Sequence, residues 1–417
     1  MNLDVGIDVG KAKLSYCGLS TRSDKIMFRG EVTNDNNGAK QIKQAIFDWI
    51  ETQPQNQVEQ VIIGMEATSI YHYHVMMYFM DDEELSAYET LTVPLNPQTT
   101  HKFSRIVGDE KTDRIDAEHI ALQLRSGLFK ESLNRSEEYL ALQRLTRERA
   151  TVVRQLAEAK NHYLNNLFFK LNTADSQLNT SMFTTTMMRL LSGEEYTLSQ
   201  LRYMSLETLT TLIKKFSRGG FKEPEKIAKE LKKSLHDSYK LNKPVAYSVD
   251  LTLSVYYHQI RIYQQQIKQF ETAIEQLAKS LPAIKCIMSI PGVGPVFAAG
   301  IAAEIGQIER FPDDPHLAKY AGLAWNRNES GNYQQEEKRR TRTGNQYLRY
   351  YLVEAADSVR KHDPVFAAFY AKKYKEVNNH QHHRACILTA RKLVRVIYCL
   401  LQNNQLYQQA TGGTGIA

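Results

Sequence analysis

Apolar and polar residues alternate at the N-terminus, in the run MNLDVGIDVGKAKLSYCG. Alternation with a period of two residues is typical of a half-buried strand, and Gly10 interrupts it before a second strand-like run, which predicts a hairpin. Lys25–Val32 predicts a third strand, and the near-continuous apolar run Val58–Met65 predicts a central strand that is covered on both faces. Together with intervening helices and a short strand at Thr90–Pro94, this pattern predicts an α/β domain in residues 1–133.

Apolar residues then recur at helical spacing, in two stretches at about 134–170 and 245–279. Both stretches are longer than an ordinary globular helix, so they predict an antiparallel coiled-coil arm. A mostly helical domain is expected after the arm, because Pro282 interrupts the second helix. The predicted organisation is an α/β domain (1–133), an arm (134–281) with a tip of short helices (171–243), a helical domain (282–401) and a flexible tail (402–417).

Composition and charge narrow the class of protein. The 417 residues carry a net charge of +7, and the four cysteines form no CxxC pair or zinc-binding spacing, which indicates free thiols in a reducing compartment. No apolar run approaches the length of a membrane span, and Asp4 and Asp8 interrupt any signal-like N-terminus. We therefore expect a soluble, cytoplasmic protein without a membrane partner.

Four carboxylates stand where metal ligands are expected. Asp8 ends the first predicted strand, Glu66 ends the central strand, and Asp113 and Asp116 lie three residues apart at the start of a predicted helix. Converging carboxylates repel one another, and hard divalent cations with oxygen ligands relieve this repulsion. A two-metal site of this kind suits attack on a phosphodiester. The alternative is a set of unrelated surface acids, since the chain has 46 Asp and Glu.

The stretch IPGVGPVFAAGIAAEIG (290–306) predicts a helix–hairpin–helix element. Gly292 and Gly294 would let backbone amides approach a phosphate at the start of the following helix. Such contacts position a protein on a duplex without reading its sequence. The alternative interpretation is a tight turn between two packed helices.

A possible nucleophile lies in a polar loop. Ser330 precedes Gly331 and a strongly basic segment, and a serine that attacks a phosphodiester needs nearby positive charge. On residue chemistry alone Ser-Gly is usually a turn, and Tyr333 and Tyr347 are rival nucleophiles.

In their order and local sequence contexts, the four carboxylates resemble those of the DEDD transposases of insertion-sequence family 110. That family also includes the Piv DNA invertase. The carboxylates are Asp8, Glu66, Asp113 and Asp116. The C-terminal match consists of Ala321-Gly322-Leu323, Ser330-Gly331 and Gly344-Asn345 through Leu348-Arg349. Trp325 and Thr341-Arg342-Thr343-Gly344 depart from the family pattern.

The resemblance implies a DNA transposase or recombinase of a bacterium or archaeon. Its N-terminal domain would be RNase H-like (RuvC-like) and would bind Mg²⁺ or Mn²⁺ through the four carboxylates, and Ser330 would become covalently joined to DNA. It further implies an element-encoded bridge RNA that pairs with donor and target DNA. Homodimers would assemble into a tetramer in which metal site and serine come from different protomers.

Basic residues near these motifs are the predicted contacts to nucleic acid. With Gly292 and Gly294 they are Lys11, Lys111, Arg327, Lys338, Arg339, Arg340, Arg342 and Arg349. Further cations follow in residues 359–401 and predict binding to a phosphate backbone. His380, His382 and His383 are interpreted as a polar turn, because the local sequence offers no second pair of metal ligands.

Three alternatives remain. A RuvC-like junction resolvase would use the metal site without a covalent intermediate. The actin-like sugar kinases also begin with a strand–Asp–Gly hairpin, but the glycine-rich phosphate loops that they need are not found in this sequence. A non-catalytic regulator that binds nucleic acid would not need the full carboxylate set.

Overall fold

A computed structural model describes residues 1–23, 25–54, 57–67, 70–107, 112–129, 137–325, 329–330, 333–334 and 343–409, with the backbone alone at 329–330 and 333–334. The chain divides into two compact units, Met1–Asn134 and Arg135–Ala417. No helix among the described residues is long and apolar enough to cross a membrane. The expected combination of an α/β N-terminal part and a mostly helical remainder is confirmed.

The first unit contains one five-stranded sheet. Its strands are β1 (Asn2–Val9), β2 (Lys13–Ser20), β3 (Ile26–Thr33), β4 (Gln60–Glu66) and β5 (Leu91–Leu95). Its helices are α1 (Asn36–Glu51), α2 (His72–Met80), α3 (Glu83–Ser86), α4 (Pro97–Val107) and α5 (Asp113–Arg125). The strand order is β3-β2-β1-β4-β5, in which β1, β2 and β3 are antiparallel and β1, β4 and β5 are parallel.

The two faces of β1 differ in what covers them. Leu3, Val5 and Ile7 are fully buried in one apolar cluster with residues of α1 and α2. Gly6, on the opposite face, lies against the backbone of α5. Because side chains alternate between the two faces of a strand, the apolar residues of β1 pack against α1 and α2. Asp4, Gly6 and Asp8 lie on the opposite face, which α5 covers.

Two long helices dominate the start of the second unit. α6 (Glu137–Lys170) and α12 (Lys243–Ala278) pack along each other. They run antiparallel, because Arg149 pairs with Glu271 near one end whereas Lys170 pairs with Asp250 near the other. The second helix ends at Ala278, so Pro282 begins the next helix rather than ending this one.

Five short helices connect the long pair, in the segment that the sequence predicts as a tip. They are α7 (Ala174–Gln177), α8 (Thr185–Leu191), α9 (Leu198–Tyr203), α10 (Leu206–Ser217) and α11 (Pro224–Asp237). Their apolar faces form one cluster with the adjoining ends of α6 and α12, including Tyr163, Leu190, Leu231 and Leu253. The tip therefore has a hydrophobic core of its own.

A second apolar cluster holds the C-terminal helices around α14 and α16. The elements are α13 (Pro282–Met288), α14 (Pro295–Ile305), a 3-10 turn (Ile308–Arg310), α15 (Asp314–Tyr320), β6 (Glu329–Ser330), β7 (Tyr333–Gln334), α16 (Gln346–His362), α17 (Pro364–Lys375) and α18 (Gln381–Gln402). Close packing at the centre depends on a small residue, because a Cβ atom on Gly300 would lie 2.5 Å from the Tyr351 ring.

Candidate active site

Adjacent parallel strands bring two of the four predicted ligands together. Ile7 of β1 is in register with Met65 of β4, so Asp8 and Glu66 follow at neighbouring carboxyl ends of the sheet. Both side chains are half-buried. The carboxyl ends of parallel strands are where open α/β sheets place ligands.

Helix α5 carries the other two carboxylates. Thr112 caps its N-terminus by accepting a hydrogen bond from the Ile115 amide at 3.3 Å, and Asp113 and Asp116 occupy the first turn. The helix lies directly on β1, because a Cβ atom on Gly6 would meet the Ala117 carbonyl oxygen at 2.2 Å. Contact at Gly6 and Ala117 places the first turn of α5 beside the end of β1, where Asp8 lies.

The charges of these side chains meet at Asp8. Burial first, and then the negative charges of Asp116, Asp113 and Glu66, raise the pKa of Asp8 from its ordinary 3.8 to about 6. No three of the four carboxylates have oxygens within 4.8 Å of one another in the described part of the chain. Their charges are nonetheless close enough to repel that of Asp8. Four oxygen donors that repel in this way fit hard divalent cations such as Mg²⁺ or Mn²⁺.

The flanking basic and imidazole groups have different surroundings. Lys11 is exposed in the turn after Asp8. Lys13 is paired with Glu31 at 2.6 Å. His119 is buried and lies 3.0 Å from the hydroxyl of Ser104 through Nδ1, which ties it to α4. Lys111 lies outside the described residues.

The raised pKa of Asp8 predicts a pH dependence of stability in the absence of divalent ions. The folded state holds this proton more tightly than the unfolded chain does, so the contribution of Asp8 to stability is present below about pH 4 and is lost as the pH rises to about 6. Mg²⁺ should reverse the loss by neutralising the carboxylates. Urea unfolding of wild type and Asp8→Asn across this range, with and without Mg²⁺, measures the difference.

Asp4 provides the control for this measurement. It lies on the same face of β1, and burial raises its pKa to about 6, whereas the charge of Arg125 acts in the opposite direction. Asp4→Asn should therefore change the pH dependence but keep the Mg²⁺ effect, which Asp8→Asn should lose. Equal Mg²⁺ effects in all three proteins would contradict a metal site at Asp8.

Ser330 lies in a segment of the second unit whose two ends meet. β6 pairs antiparallel with β7, with Ser330 opposite Tyr333. Gly322 and Gly344 both have positive φ, and a Cβ atom on Gly344 would lie 2.6 Å from the Gly322 nitrogen. The close approach requires glycine at both positions, and it brings the two ends of the Ser330 segment together.

A buried carboxylate holds this point together. Glu304 of α14 is fully buried and accepts two hydrogen bonds from Arg147 of α6, at 2.6 and 2.8 Å. It also accepts one at 2.7 Å from the side-chain amide of Asn345. The Asn345 side-chain oxygen in turn accepts from the amides of Tyr347 and Leu348, which caps α16. Glu304 thus links the arm, α14 and the end of the Ser330 segment in one network.

The sequence does not single out Gly6 or Glu304, although each leaves a signal. A glycine inside an alternating strand indicates close backbone approach, as Gly6 shows. A lone carboxylate in a run of small apolar residues is rarely buried unless it is paired, so Glu304 in GIAAEIG indicates a buried partner.

Of the residues predicted to contact nucleic acid, few are described. Gly292 has positive φ and lies against α16, since its Cβ would come 3.0 Å from the Ser358 carbonyl oxygen. Gly294 caps α14 and has nothing within 4 Å of a Cβ position. Arg349 is half-buried and donates to the Ala321 carbonyl at 3.4 Å. The others lie outside the described residues: Arg327, Lys338, Arg339, Arg340 and Arg342.

The C-terminal helices are less available to phosphates than their sequence indicates. Three acidic residues pair with six of the cations expected to bind a phosphate backbone. The pairs are Arg360 and Lys361 with Asp357, Lys373 and Arg384 with Glu376, and Arg391 and Arg395 with Asp314. The acids lie one to several turns away in sequence or on another helix, which a linear count of charges misses.

Both units match known transposase families. A transposase model for the IS110-type DEDD enzymes matches residues 5–169, and the model of the transposase IS116/IS110/IS902 family matches residues 284–371. The first match includes all four carboxylates and the second includes Ser330.

Three relatives come from bacterial insertion elements. An uncharacterized 43.6 kDa protein of insertion element IS110 from Streptomyces coelicolor is 28% identical over 34% of this chain and 35% of the relative. The corresponding 44.8 kDa protein of IS116 from Streptomyces clavuligerus is 27% identical over 37% and 38%. The transposase of IS1111A from Coxiella burnetii is 26% identical over 37% and 43%, so each match spans less than half of the relative. With two transposase family models matching separate parts of it, this chain belongs to the IS110 family of DEDD transposases.

Proposed function

We propose that this protein is a metal-dependent DNA recombinase that cuts and rejoins the strands of an insertion sequence. The observation that carries the proposal is the convergence of three carboxylates on the half-buried Asp8, whose pKa is raised first by burial and then by their charges. A charge cluster of this kind is costly to the fold and is explained by a function that uses divalent cations. Membership of the IS110 family supports the same conclusion.

The fold of the first unit supports an RNase H-like (RuvC-like) catalytic domain. Three antiparallel strands followed by two parallel strands give the order β3-β2-β1-β4-β5, with Asp8 on the central strand. Asp8, Glu66, Asp113 and Asp116 would hold Mg²⁺ or Mn²⁺ there. When bound, the ions would supply positive charge for in-line displacement at a phosphodiester.

Ser330 is the proposed nucleophile. Its Oγ would form a phosphodiester bond to one end of the cut strand, while the displaced sugar oxygen leaves with a proton and the serine proton passes to a base. The closure at Gly322 and Gly344 supports this role, because it fixes both ends of the segment that carries Ser330. We propose that metal site and serine are contributed by different protomers.

The exposed face of the arm supports assembly of several copies. Leu251, Val255 and Ile262 of α12 are 56%, 46% and 52% exposed, and their spacing of four and seven residues places them on one side of the helix. An apolar stripe on a long helix is typical of a coiled-coil contact. We propose that it forms part of the contact in a homodimer or tetramer.

Charge substitution on this stripe tests the proposed assembly. Val255→Glu with Ile262→Glu should lower the molar mass in light scattering to that of a smaller species, because two carboxylates would be buried without partners. Glu substitutions at Lys268 and Thr272, exposed polar positions of the same helix outside the stripe, serve as the control. Unchanged mass in the stripe variant would exclude this face as the contact.

The turn before α14 is proposed to contact DNA as a helix–hairpin–helix element. Gly294 supports this, because its surroundings leave the N-terminus of an 11-residue helix open. Gly294→Ala should leave thermal stability nearly unchanged but weaken DNA binding, as an added methyl group blocks close approach to phosphate. Gly292→Ala should instead lower stability, because φ is positive and α16 lies against the position. Equal DNA binding by Gly294→Ala and wild type would favour a purely structural turn.

An element-encoded bridge RNA is proposed to choose the DNA sites. The family resemblance suggests this partner, and base pairing by the RNA would explain a protein that grips backbones rather than bases. The second candidate function is a RuvC-like junction nuclease, which the same carboxylates would support without Ser330.

A cleavage assay tests the proposed function. Purified protein, DNA carrying the element ends, the co-encoded RNA and Mg²⁺ should yield cut and rejoined strands, and chelation should stop the reaction. Cutting that continues with chelator present would contradict a metal-dependent recombinase. Cutting of branched DNA without rejoining would favour the junction nuclease.

A further inference from the structure

A cluster of three metal-ligating side chains lies between α16 and α18, in the second unit. His382 is in the first turn of α18, Cys386 is one turn further along, and Asp357 projects from α16. In the sequence, His380, His382 and His383 have no second pair of metal ligands nearby. The fold supplies the missing partners from the next turn and from the neighbouring helix.

The three ligand atoms form a nearly regular triangle. Cys386 Sγ lies 3.7 Å from Asp357 Oδ1 and 3.8 Å from His382 Nε2, and Nε2 lies 4.0 Å from Oδ1. A point equidistant from all three lies about 2.2 Å from each, close to the ~2.0–2.3 Å of zinc bonds to oxygen, nitrogen and sulfur. A single ion would therefore fit with small adjustments of side chains.

The donor set selects the type of metal. Thiolate and imidazole favour zinc and related transition metals over Mg²⁺, which prefers oxygen ligands in octahedral geometry. Cys386 is 4% exposed, whereas the side chain of His382 is 60% exposed. The apolar side of the cluster is thus closed and the other side faces solvent, which leaves room for a water molecule as fourth ligand.

Neighbouring groups orient two of the ligands. Tyr370 Oη lies 2.7 Å from His382 Nδ1, and when Nδ1 donates this bond, Nε2 presents its lone pair to the other two ligands. Arg360 and Lys361 donate to Asp357 at 2.6–2.7 Å. These two cations oppose a further positive charge, so the site should bind more weakly than a structural zinc site with four protein ligands.

We propose that Asp357, His382 and Cys386 bind one divalent transition-metal ion of the zinc class. The ion would connect α16, whose N-terminus Asn345 caps, to the C-terminal helix α18. Its function would be to fix these helices, and the proposal does not depend on the recombinase chemistry of the protein.

Cobalt binding gives the direct test. The full-length protein, without an affinity tag, is stripped with chelator under reducing conditions and titrated with Co²⁺ in excess Mg²⁺. One equivalent should produce the thiolate-to-cobalt charge-transfer absorption, and one equivalent of Zn²⁺ should abolish it. His382→Ala should weaken Co²⁺ binding about tenfold or more, since loss of outer partners alone costs about 10–100-fold.

Variants on α18 and at Asp8 distinguish Co²⁺ binding at this cluster from Co²⁺ binding elsewhere on the protein. Cys386→Ser should lose the absorption, and the exposed His382 keeps the test decisive if the buried Cys386 substitution impairs folding. His383→Ala, Cys399→Ser and Asp8→Asn should keep it. A wild-type protein without the absorption at saturating Co²⁺, or an unchanged absorption in His382→Ala, would overturn the proposal.

Discussion

Replacing Asp8 with asparagine should abolish DNA cleavage while making the protein more stable in the absence of divalent ions. Asp8 receives the charges of three other carboxylates, so removing its own charge relieves repulsion in the folded state. The same change removes a ligand at the centre of the proposed metal site. Because bound metal supplies several kcal/mol to such reactions, we expect cleavage to fall on the order of 10³-fold or more.

The opposite signs of these two effects make the prediction specific. A variant that loses activity through misfolding would unfold at lower urea concentration, whereas Asp8→Asn should unfold at higher concentration when chelator is present. Asp4→Asn, on the same face of β1, should retain most of its cleavage activity. Retained cleavage in Asp8→Asn, or cleavage lost equally in both variants, would contradict the assignment of Asp8 as a metal ligand.

Replacing Arg147 with alanine should destabilise the second unit strongly. It would leave the fully buried Glu304 carboxylate without its charged partner. Breaking a buried ion pair from one side costs about 3–5 kcal/mol, which is an upper value here because the Arg147 side chain is 40% exposed. Chemical unfolding of the variant measures the loss. Lys229→Ala, which removes one member of the exposed pair with Glu225, should leave the transition almost unchanged.

A double variant distinguishes stability from positioning. Arg147→Met with Glu304→Leu removes both charges and should recover much of the stability. Asn345 would still lose the Glu304 oxygen that accepts its hydrogen bond, so the closure beside the Ser330 segment should loosen. We expect the double variant to unfold at close to the wild-type denaturant concentration but to show reduced attack by the serine. Full recovery of both the stability and the attack by the serine would show that Glu304 acts on stability alone.

The sheet could be predicted from sequence because its signals are local. Alternation in β1 and the continuous apolar run of β4 follow directly from which faces are covered. The position of α5 could not be read in the same way. It depends on Gly6, whose missing side chain lets the backbone of a helix more than a hundred residues away in sequence come into contact.

The second unit shows the same division between local and long-range information. Helical spacing predicts α6 and α12, but the pairing of Arg147 with Glu304 joins residues 157 positions apart. Likewise, three histidines in sequence give no metal site until α16 brings Asp357 to α18. Long-range contacts of polar side chains leave little trace in periodicity, because periodicity records only which residues are buried.

Trapping of a covalent protein–DNA adduct tests the central claim most directly. Wild type, Ser330→Ala and Asp8→Asn are incubated with element-end DNA, the co-encoded RNA and Mg²⁺, and are resolved on a denaturing gel. A recombinase that joins metal catalysis to a serine nucleophile should give an adduct in wild type alone, with unfolding of Ser330→Ala unchanged. Strand cutting without any adduct in wild type would make water the nucleophile and would contradict the proposed mechanism.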